Sequence, residues 1–381
     1  MEIAGWGKFP IIDSEVFTPR SPAELAGLFG RSPPFRGIAR GMGRSYGDSA
    51  LAPRTIGTRS LNHILDFQPE RGTVRCQAGT TIGELLEVFV PRGWFPPVVP
   101  GTKFVTVGGA IASDIHGKNH HLEGSFCDHV SSIELMLPDG RPVTCSGKTR
   151  PDLFRATCGG MGLTGVILEA AFKLKPIRSA FIRRTTLKAA NLAEAMELFE
   201  THAGAPYSVA WIDCLSTGRR LGRSLLMLGE HDTDGRLEMS RRKGFSVPID
   251  MPGFLLNRFS MGAFNGLYYH RVRRPRAEAT IHYEPFFFPL DAVADWNRLY
   301  GKNGFTQYQL ALPREAGQEG IAAVLGRIAA SKQGSFLAVL KAFGKGNRNF
   351  LSFPTEGYTL AVDFKLDGSL LKMLDELDRV V

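Results

Sequence analysis

The residues with the clearest chemical potential lie in two glycine-rich loops. The first is Ala39-Arg40-Gly41-Met42-Gly43-Arg44-Ser45-Tyr46-Gly47-Asp48-Ser49. The second opens at Pro100-Gly101-Thr102 and passes through Thr106-Val107-Gly108-Gly109. It ends in Ser113-Asp114-Ile115-His116-Gly117-Lys118-Asn119-His120-His121. Glycine lets backbone N–H groups close on an anion and take positive φ at little steric cost. Two such loops can surround a long, phosphate-bearing cofactor, whereas one alone suits a small anion. A plain surface turn accounts less well for a first loop so rich in glycine and arginine. His116, set between the glycines and Gly117, is the histidine to place beside the cofactor, and Lys118 is a phosphate or substrate contact. The histidines at 116, 120 and 121 invite a metal reading. No HExxH is present and no carboxylate pair stands near beyond Asp114, so no metal is expected.

Gly160-Met161-Gly162-Leu163-Thr164-Gly165 matches GxGxxG. A dinucleotide site needs a strand before that motif and an acidic residue some way after it. Here 151–156 reads as helix, and Arg183-Arg184 stands where the acid is needed. The motif is therefore expected to be a packing turn beside the cofactor.

These loops need a scaffold, and the chain of 381 residues is long enough for two domains. Apolar residues at 43% and charged residues at 22% fit a globular protein. Net charge is +9, which favours anionic partners such as phosphates, nucleic acid or an anionic membrane surface. The five cysteines form no CxxC pair, which argues against a disulfide framework and a structural zinc. The N-terminus does not read as a secretory signal, and no window approaches the roughly 18 apolar residues of a membrane span. The expected location is cytoplasmic, or peripheral at the cytoplasmic membrane.

The spacing predicts a short helix from Ser21 and Pro22 over 21–30, and a strand at 72–77. A helix follows at 81–88, with Thr81 and Glu84 as a capping box. A hairpin spans 130–145 and a strand 166–174. A seam falls near Lys175-Pro176, giving an expected first domain of 1–178 and a second of 179–381. The second holds strand 180–187, helix 192–202 and strand 207–214. Strand 306–312, helix 316–332, strands 335–343 and 359–364, and helix 369–377 complete it. The stretch 241–276 mixes Phe254, Leu255, Leu256, Phe259, Met261 and Phe264 with Arg271, Arg273, Arg274 and Arg276. It reads as a long loop or insertion without clean helical amphipathy, suited to an anionic lipid surface. Nucleic acid would suit that charge too, but no nucleic-acid motif accompanies it, and none is expected as partner.

Gly41–Asp48, Pro100–His121 and Gly159–Gly165 together resemble the FAD-binding domain of the vanillyl-alcohol-oxidase superfamily. Asp295–Gly301, Gln307-Tyr308-Gln309 and Leu340–Gly344 extend the resemblance over nearly the whole chain, on the side of a branch that oxidises a lipid-linked ribose. It implies an α+β, two-domain, PCMH-type FAD-binding fold whose substrate domain is built on an antiparallel sheet. Its first loop would wrap the FAD pyrophosphate at Ala39, Arg40, Gly41, Met42, Gly43, Arg44, Ser45, Tyr46, Gly47, Asp48 and Ser49. Its second would continue at Gly101, Thr106, Val107, Gly108, Gly109, Ser113, Asp114, Ile115 and His116, with Ile167 nearby. Covalent relatives often carry histidine at the position of Arg44, so non-covalent FAD is expected. Substrate contacts would be Lys118, Trp211, Gln307, Gln309 and Lys341. Of these, Lys341 would meet a phosphate and the glutamines sugar hydroxyls.

The implied reaction is oxidation of the ribose C2 hydroxyl of a polyprenylphosphoryl-ribose to the ketone. This is the first half of an epimerisation to an arabinose donor for cell-envelope glycan. A hydride would pass to flavin N5 while a base takes the proton, with His116, Lys341 and Gln309 as the catalytic candidates. A short-chain dehydrogenase/reductase partner, a quinone-type acceptor and peripheral membrane contact belong to the same picture. Two departures stand out. Ala361 occupies a position where the family often has cysteine. A C-terminal return to the FAD domain, bringing a lysine and a tyrosine to the flavin, is not found before Val381. Two alternatives stay open at this point: a soluble sugar or aldonolactone oxidase of the same superfamily, and a truncated, inactive, flavin-free binding protein.

Overall fold

A computed structural model describes residues 1–30, 35–240, 244–331 and 333–381. The first half is organised by a five-stranded antiparallel sheet. Its order is Pro142–Cys145, Val130–Met136, Val166–Lys173, Thr73–Gln77, Ile64–Gln68. Helix Ile82–Phe89 packs on it through Ile82, Leu85, Leu86 and Phe89. Its predicted capping box is present: Glu84 N–H donates to Thr81 Oγ1 at 3.1 Å, and Thr81 N–H donates to Glu84 Oε2 at 2.7 Å. Such a cap contributes about 1 kcal/mol. A small parallel sheet of Glu15–Phe17, Arg54–Gly57 and Ile38–Arg40 stands beside this layer. Its strand Ile38–Arg40 delivers the chain straight into the first glycine loop.

The second half is built on a seven-stranded antiparallel sheet. Its order is Arg276–His282, Phe181–Ala189, Ser224–His231, Tyr207–Ile212, Ala338–Phe343, Gly357–Lys365, Phe305–Pro313. Side chains alternate between its faces. Ala210, Leu310, Leu340, Leu360 and Val362 point to one face and pack with Met196, Ile321, Val324 and Met373 from the covering helices. Register assigns the other face. Gln309 lies opposite Ala361, Gln307 opposite Asp363, Lys341 opposite Thr359 and Trp211 opposite Val339. This is the face turned toward the glycine loops.

The architecture is the α+β arrangement expected, with an antiparallel substrate-side sheet. Several elements differ from the sequence reading, strands Glu15–Phe17, Arg54–Gly57 and Ile64–Gln68 among them. The 241–276 segment is not a loop throughout: a helix runs from Arg258 to His270, capped by Asn257. Its buried stripe is only Met261, Asn265 and Tyr269, and Asn265 faces inward because it donates to Asp213 Oδ1 at 2.9 Å. A polar residue in a stripe one residue wide hides the helical period. Strands Ser224–His231 and Arg276–His282 were also not anticipated. The latter is an edge strand exposed along most of its length, so it lacks an apolar signature. Residues 241–243 of that segment, and Lys332 at the end of predicted helix 316–332, lie outside the described residues.

Candidate active site

The two glycine loops meet. A Cβ on Gly41 would lie 2.3 Å from Thr106 Oγ1, so only glycine allows the first loop to lie against the second. Arg44 stacks on Trp6, its guanidinium carbon 3.8 Å from the ring centroid, and reaches Phe104 of the second loop at 5.1 Å. Gly43 takes φ of 62°, a turn that lets Arg40 Nη2 donate to the Ala4 carbonyl at 2.5 Å. Tyr46 packs on Phe305 and Trp296, with centroids 4.9 and 6.3 Å away. Among the described residues, no backbone amide from Gly41 to Asp48 donates a hydrogen bond. Folded chains pair nearly all such groups unless solvent or a ligand takes them. Open space adjoins Gly47 and Gly101, where an added Cβ would meet nothing within 4 Å. A run of free amides beside open space fits a diphosphate.

The second loop contributes differently from expectation. Val107 N–H donates to Thr80 O at 2.7 Å, Gly108 N–H to Ala78 O at 2.8 Å, and Gly109 N–H to Thr106 Oγ1 at 3.1 Å. Those amides are committed within the chain. Here that stretch seats the first loop, and the free donors lie in the first loop and at Gly101, whose N–H donates to nothing among the described residues. The Gly160–Gly165 turn is tied to the short helix Val107–Ala112 within the second loop, since Gly159 N–H donates to Ile111 O and Met161 N–H to Ala112 O. Helix Pro151–Thr157, not a strand, precedes it. Ile167 sits in the core of the five-stranded sheet. Asp114, at φ 39°, holds the 347–352 loop: Oδ2 accepts from Asn347, Asn349 and Ser352 at 2.7, 3.0 and 2.7 Å. Ser113 Oγ points at Met161 Sδ, 3.9 Å away, and Ile115 N–H is bound to Ala110 O.

His116 joins the two halves. Its Nδ1 lies 3.0 Å from Lys341 Nζ, and its Nε2 lies 3.4 Å from Gln309 Nε2. Gln309 Nε2 also donates to Thr359 Oγ1 at 3.1 Å, and Thr359 Oγ1 spends its own proton on Leu310 O at 2.8 Å. This chain fixes the proton positions. The Gln309 amide presents N–H to His116, so Nε2 accepts and the imidazole proton sits on Nδ1, facing the Lys341 amine. Electrostatics agree. Burial, then Lys118, pushes Lys341 down to about 7. Burial, then Lys341 and His120, holds His116 well below its ordinary value, as a neutral ring.

Lys118 Nζ donates to Phe287 O at 3.0 Å, and burial pushes it down to about 8. Neither Lys118 nor Lys341 meets a carboxylate among the described residues. A buried cation without a counter-charge is costly, so the pocket suits an incoming anion. His120 accepts from Gly344 N–H at 3.2 Å and is pushed down to about 4, chiefly by burial. His121 Nε2 lies 2.8 Å from Ala205 O.

Of the residues named from sequence, His116, Lys118, Gln307, Gln309 and Lys341 share one site. Trp211 is on the same sheet face, but it is packed under Tyr268 at 4.6 Å and donates its indole N–H to Phe336 O. Thr359 and Asp363 were missed. Their signal was present: with period two, they share a face with Ala361.

Comparison with known proteins gives a concordant answer. A model described as an FAD binding domain matches residues 14–146. Decaprenylphosphoryl-beta-D-ribose oxidase of Mycolicibacterium smegmatis is 36% identical over 397 aligned positions, covering 100% of this chain and 86% of that protein. An uncharacterized protein of Streptomyces coelicolor is 31% identical over 320 positions, covering 79% of this chain and 85% of its own. Cytokinin dehydrogenase 10 of Oryza sativa subsp. japonica is 28% identical over 174 positions, covering 42% of this chain and 32% of its own.

Proposed function

The chain belongs to the FAD-dependent oxidoreductase family that includes decaprenylphosphoryl-beta-D-ribose oxidase, and from that premise we propose that it oxidises the C2 hydroxyl of a ribose carried on a polyprenyl phosphate to the ketone. One observation carries the choice of substrate: the Lys118 ammonium bears on Lys341, Lys341 contacts His116, and neither lysine meets a carboxylate among the described residues. A neutral sugar or lactone would leave that charge unanswered, whereas a phosphodiester answers it.

Bound FAD, held by the free amides of Gly41–Asp48, supplies the two-electron acceptor. The protein's part is to bind the phosphate, orient the carbinol and take its proton. Lys118, the more basic of the two lysines, holds the phosphate as an ammonium. His116 Nε2 takes the hydroxyl proton. As it does, the Nδ1 proton moves to the Lys341 amine 3.0 Å away, so the positive charge ends on Lys341 rather than on a buried imidazole. Gln309, anchored by Thr359, keeps Nε2 the accepting nitrogen. Arg44 has no nucleophilic nitrogen to offer the flavin while it stacks on Trp6, which supports non-covalent binding.

The substrate is a lipid, and the surface offers a place to meet it. Among the described residues no helix is long and apolar enough to cross a membrane. Helix Arg258–His270 and its approach leave Phe254, Phe259 and Leu267 exposed beside Arg258, Arg271, Arg273 and Arg274. Exposed apolar side chains on a segment rich in exposed arginine suit peripheral contact with an anionic bilayer. The reading also carries a short-chain reductase that consumes the ketone and a quinone-type electron acceptor.

The test is product analysis. FAD-loaded protein, a quinone and farnesylphosphoryl-β-D-ribose should yield a product lighter by one pair of hydrogens, and Lys341→Met should abolish it. Turnover of arabinono-lactone in preference to the ribosyl lipid would overturn the proposal.

A further inference from the structure

Asp363 has no part in the proton relay, yet it stands at the relay's edge. It is 1% exposed. It lies directly across from Gln307 in the sheet, and Gln307 Nε2 donates to its Oδ1 at 2.7 Å. Its Oδ2 is buried and has no hydrogen-bond partner among the described residues. Among the described residues no ammonium or guanidinium is paired with it.

That single bond sets the orientation of the Gln307 amide. A carboxyl oxygen accepts, so the amide turns its NH₂ inward and its carbonyl outward. Gln307 is half-buried, and its Oε1 is neither enclosed nor bonded within the described residues. Two residues along the same strand face, Gln309 reaches His116. The outward carbonyl therefore opens beside the relay as an acceptor with no donor of its own. We propose that Asp363 is a positioning residue for substrate selection: it locks Gln307 so that the site presents a hydrogen-bond acceptor and demands a hydroxyl donor from the sugar next to the carbon being oxidised. The inference rests on the ribosyl reading of the site and adds the specificity element to it.

Two features support the lock. Burial, opposed by the Gln307 bond, pushes the Asp363 carboxyl up to about 7, and the Tyr46 and Tyr300 phenols lie near it. A proton resident on Oδ2 leaves Oδ1 accepting, so the Gln307 orientation is the same in either state. A site that hydrogen-bonds a substrate hydroxyl rejects the analogue lacking it, because its own polar group is then left unpaired.

The experiment uses FAD-loaded protein with farnesylphosphoryl-ribose and its 3-deoxy and 5-deoxy analogues. The wild type should favour the parent over the 3-deoxy analogue, which lacks the hydroxyl beside the oxidised C2, by about tenfold or more in kcat/KM, with the 5-deoxy analogue as the control. Asp363→Asn supplies an amide that can donate to Gln307, frees it to turn, and should erase that preference through KM. The kcat for the deoxy analogue and the flavin content should stay unchanged. Gln307→Met should erase the preference equally, and the double variant should add nothing. Wild-type discrimination retained in Asp363→Asn would overturn the inference. So would an equal loss of kcat on parent and analogue, which marks a structural role. Failure of the wild type to oxidise any of the ribosyl lipids would instead bring down the substrate reading, and this inference with it.

Discussion

At the residue scale the account turns on two lysines with different tasks. Lys341, held down to about 7, must be a free amine to receive the Nδ1 proton, so kcat should rise with pH through that value. Lys118, held down to about 8, must be an ammonium to hold phosphate, so affinity should fall as pH climbs past it. The bound phosphate will move the second limb upward. A bell-shaped kcat/KM profile is expected, and Thr359→Val should shift its acid limb to higher pH. Loss of the Thr359 hydroxyl frees Gln309 to turn its carbonyl to His116, which favours the lysine ammonium. Lys118→Met should raise KM about tenfold or more, the ~1.5–3 kcal/mol of a charge-assisted contact, with kcat little changed. A profile with no acid limb would refute the relay. His116, Lys341 and Gln309 were legible from the resemblance. Period two from Ala361 marked the face of Thr359 and Asp363 but not their role, because nothing in a single sequence pairs position 307 with 363.

At the element scale, helix Arg258–His270 was hidden from the sequence, and it leaves Phe259 and Leu267 exposed. Its cap is ordinary: Asn257 Oδ1 accepts from Phe259 and Ser260 N–H at 2.8 and 3.1 Å. The apolar residues lie on both sides, Met261 and Tyr269 inward, Phe259 and Leu267 outward. Phe259→Ser with Leu267→Ser should weaken sedimentation with anionic vesicles while leaving turnover of the short-chain farnesyl substrate unchanged, since neither side chain enters the site. Unchanged vesicle binding would remove the membrane role from this helix. The regular elements with capping boxes, alternation or clear caps were legible: Ile82–Phe89, Val130–Met136, Leu192–Thr201. The edge strand Arg276–His282 was not, because exposed strands need no apolar alternation.

At the scale of the whole molecule, function depends on two loops, far apart along the chain and touching at Gly41 and Thr106. Gly41→Val would drive a side chain into Thr106 at a position 2.3 Å from its hydroxyl oxygen. The variant should lose FAD while keeping its far-ultraviolet circular dichroism, and retention of flavin would contradict the cradle. Acid precipitation of the wild type should leave the yellow colour in the supernatant, as required if no bond joins flavin to protein. The glycine composition foretold the two loops' proximity. It could not foretell that the amides of Val107, Gly108 and Gly109 are spent on the scaffold while those of Gly41–Asp48 stay free. The most direct measurement is anaerobic mixing of FAD-loaded protein with farnesylphosphoryl-β-D-ribose, followed in the visible spectrum. Stoichiometric bleaching of the flavin by this lipid, and none by free ribose or a lactone, is the predicted result. Bleaching by the uncharged sugars with none by the phospholipid sugar would contradict it.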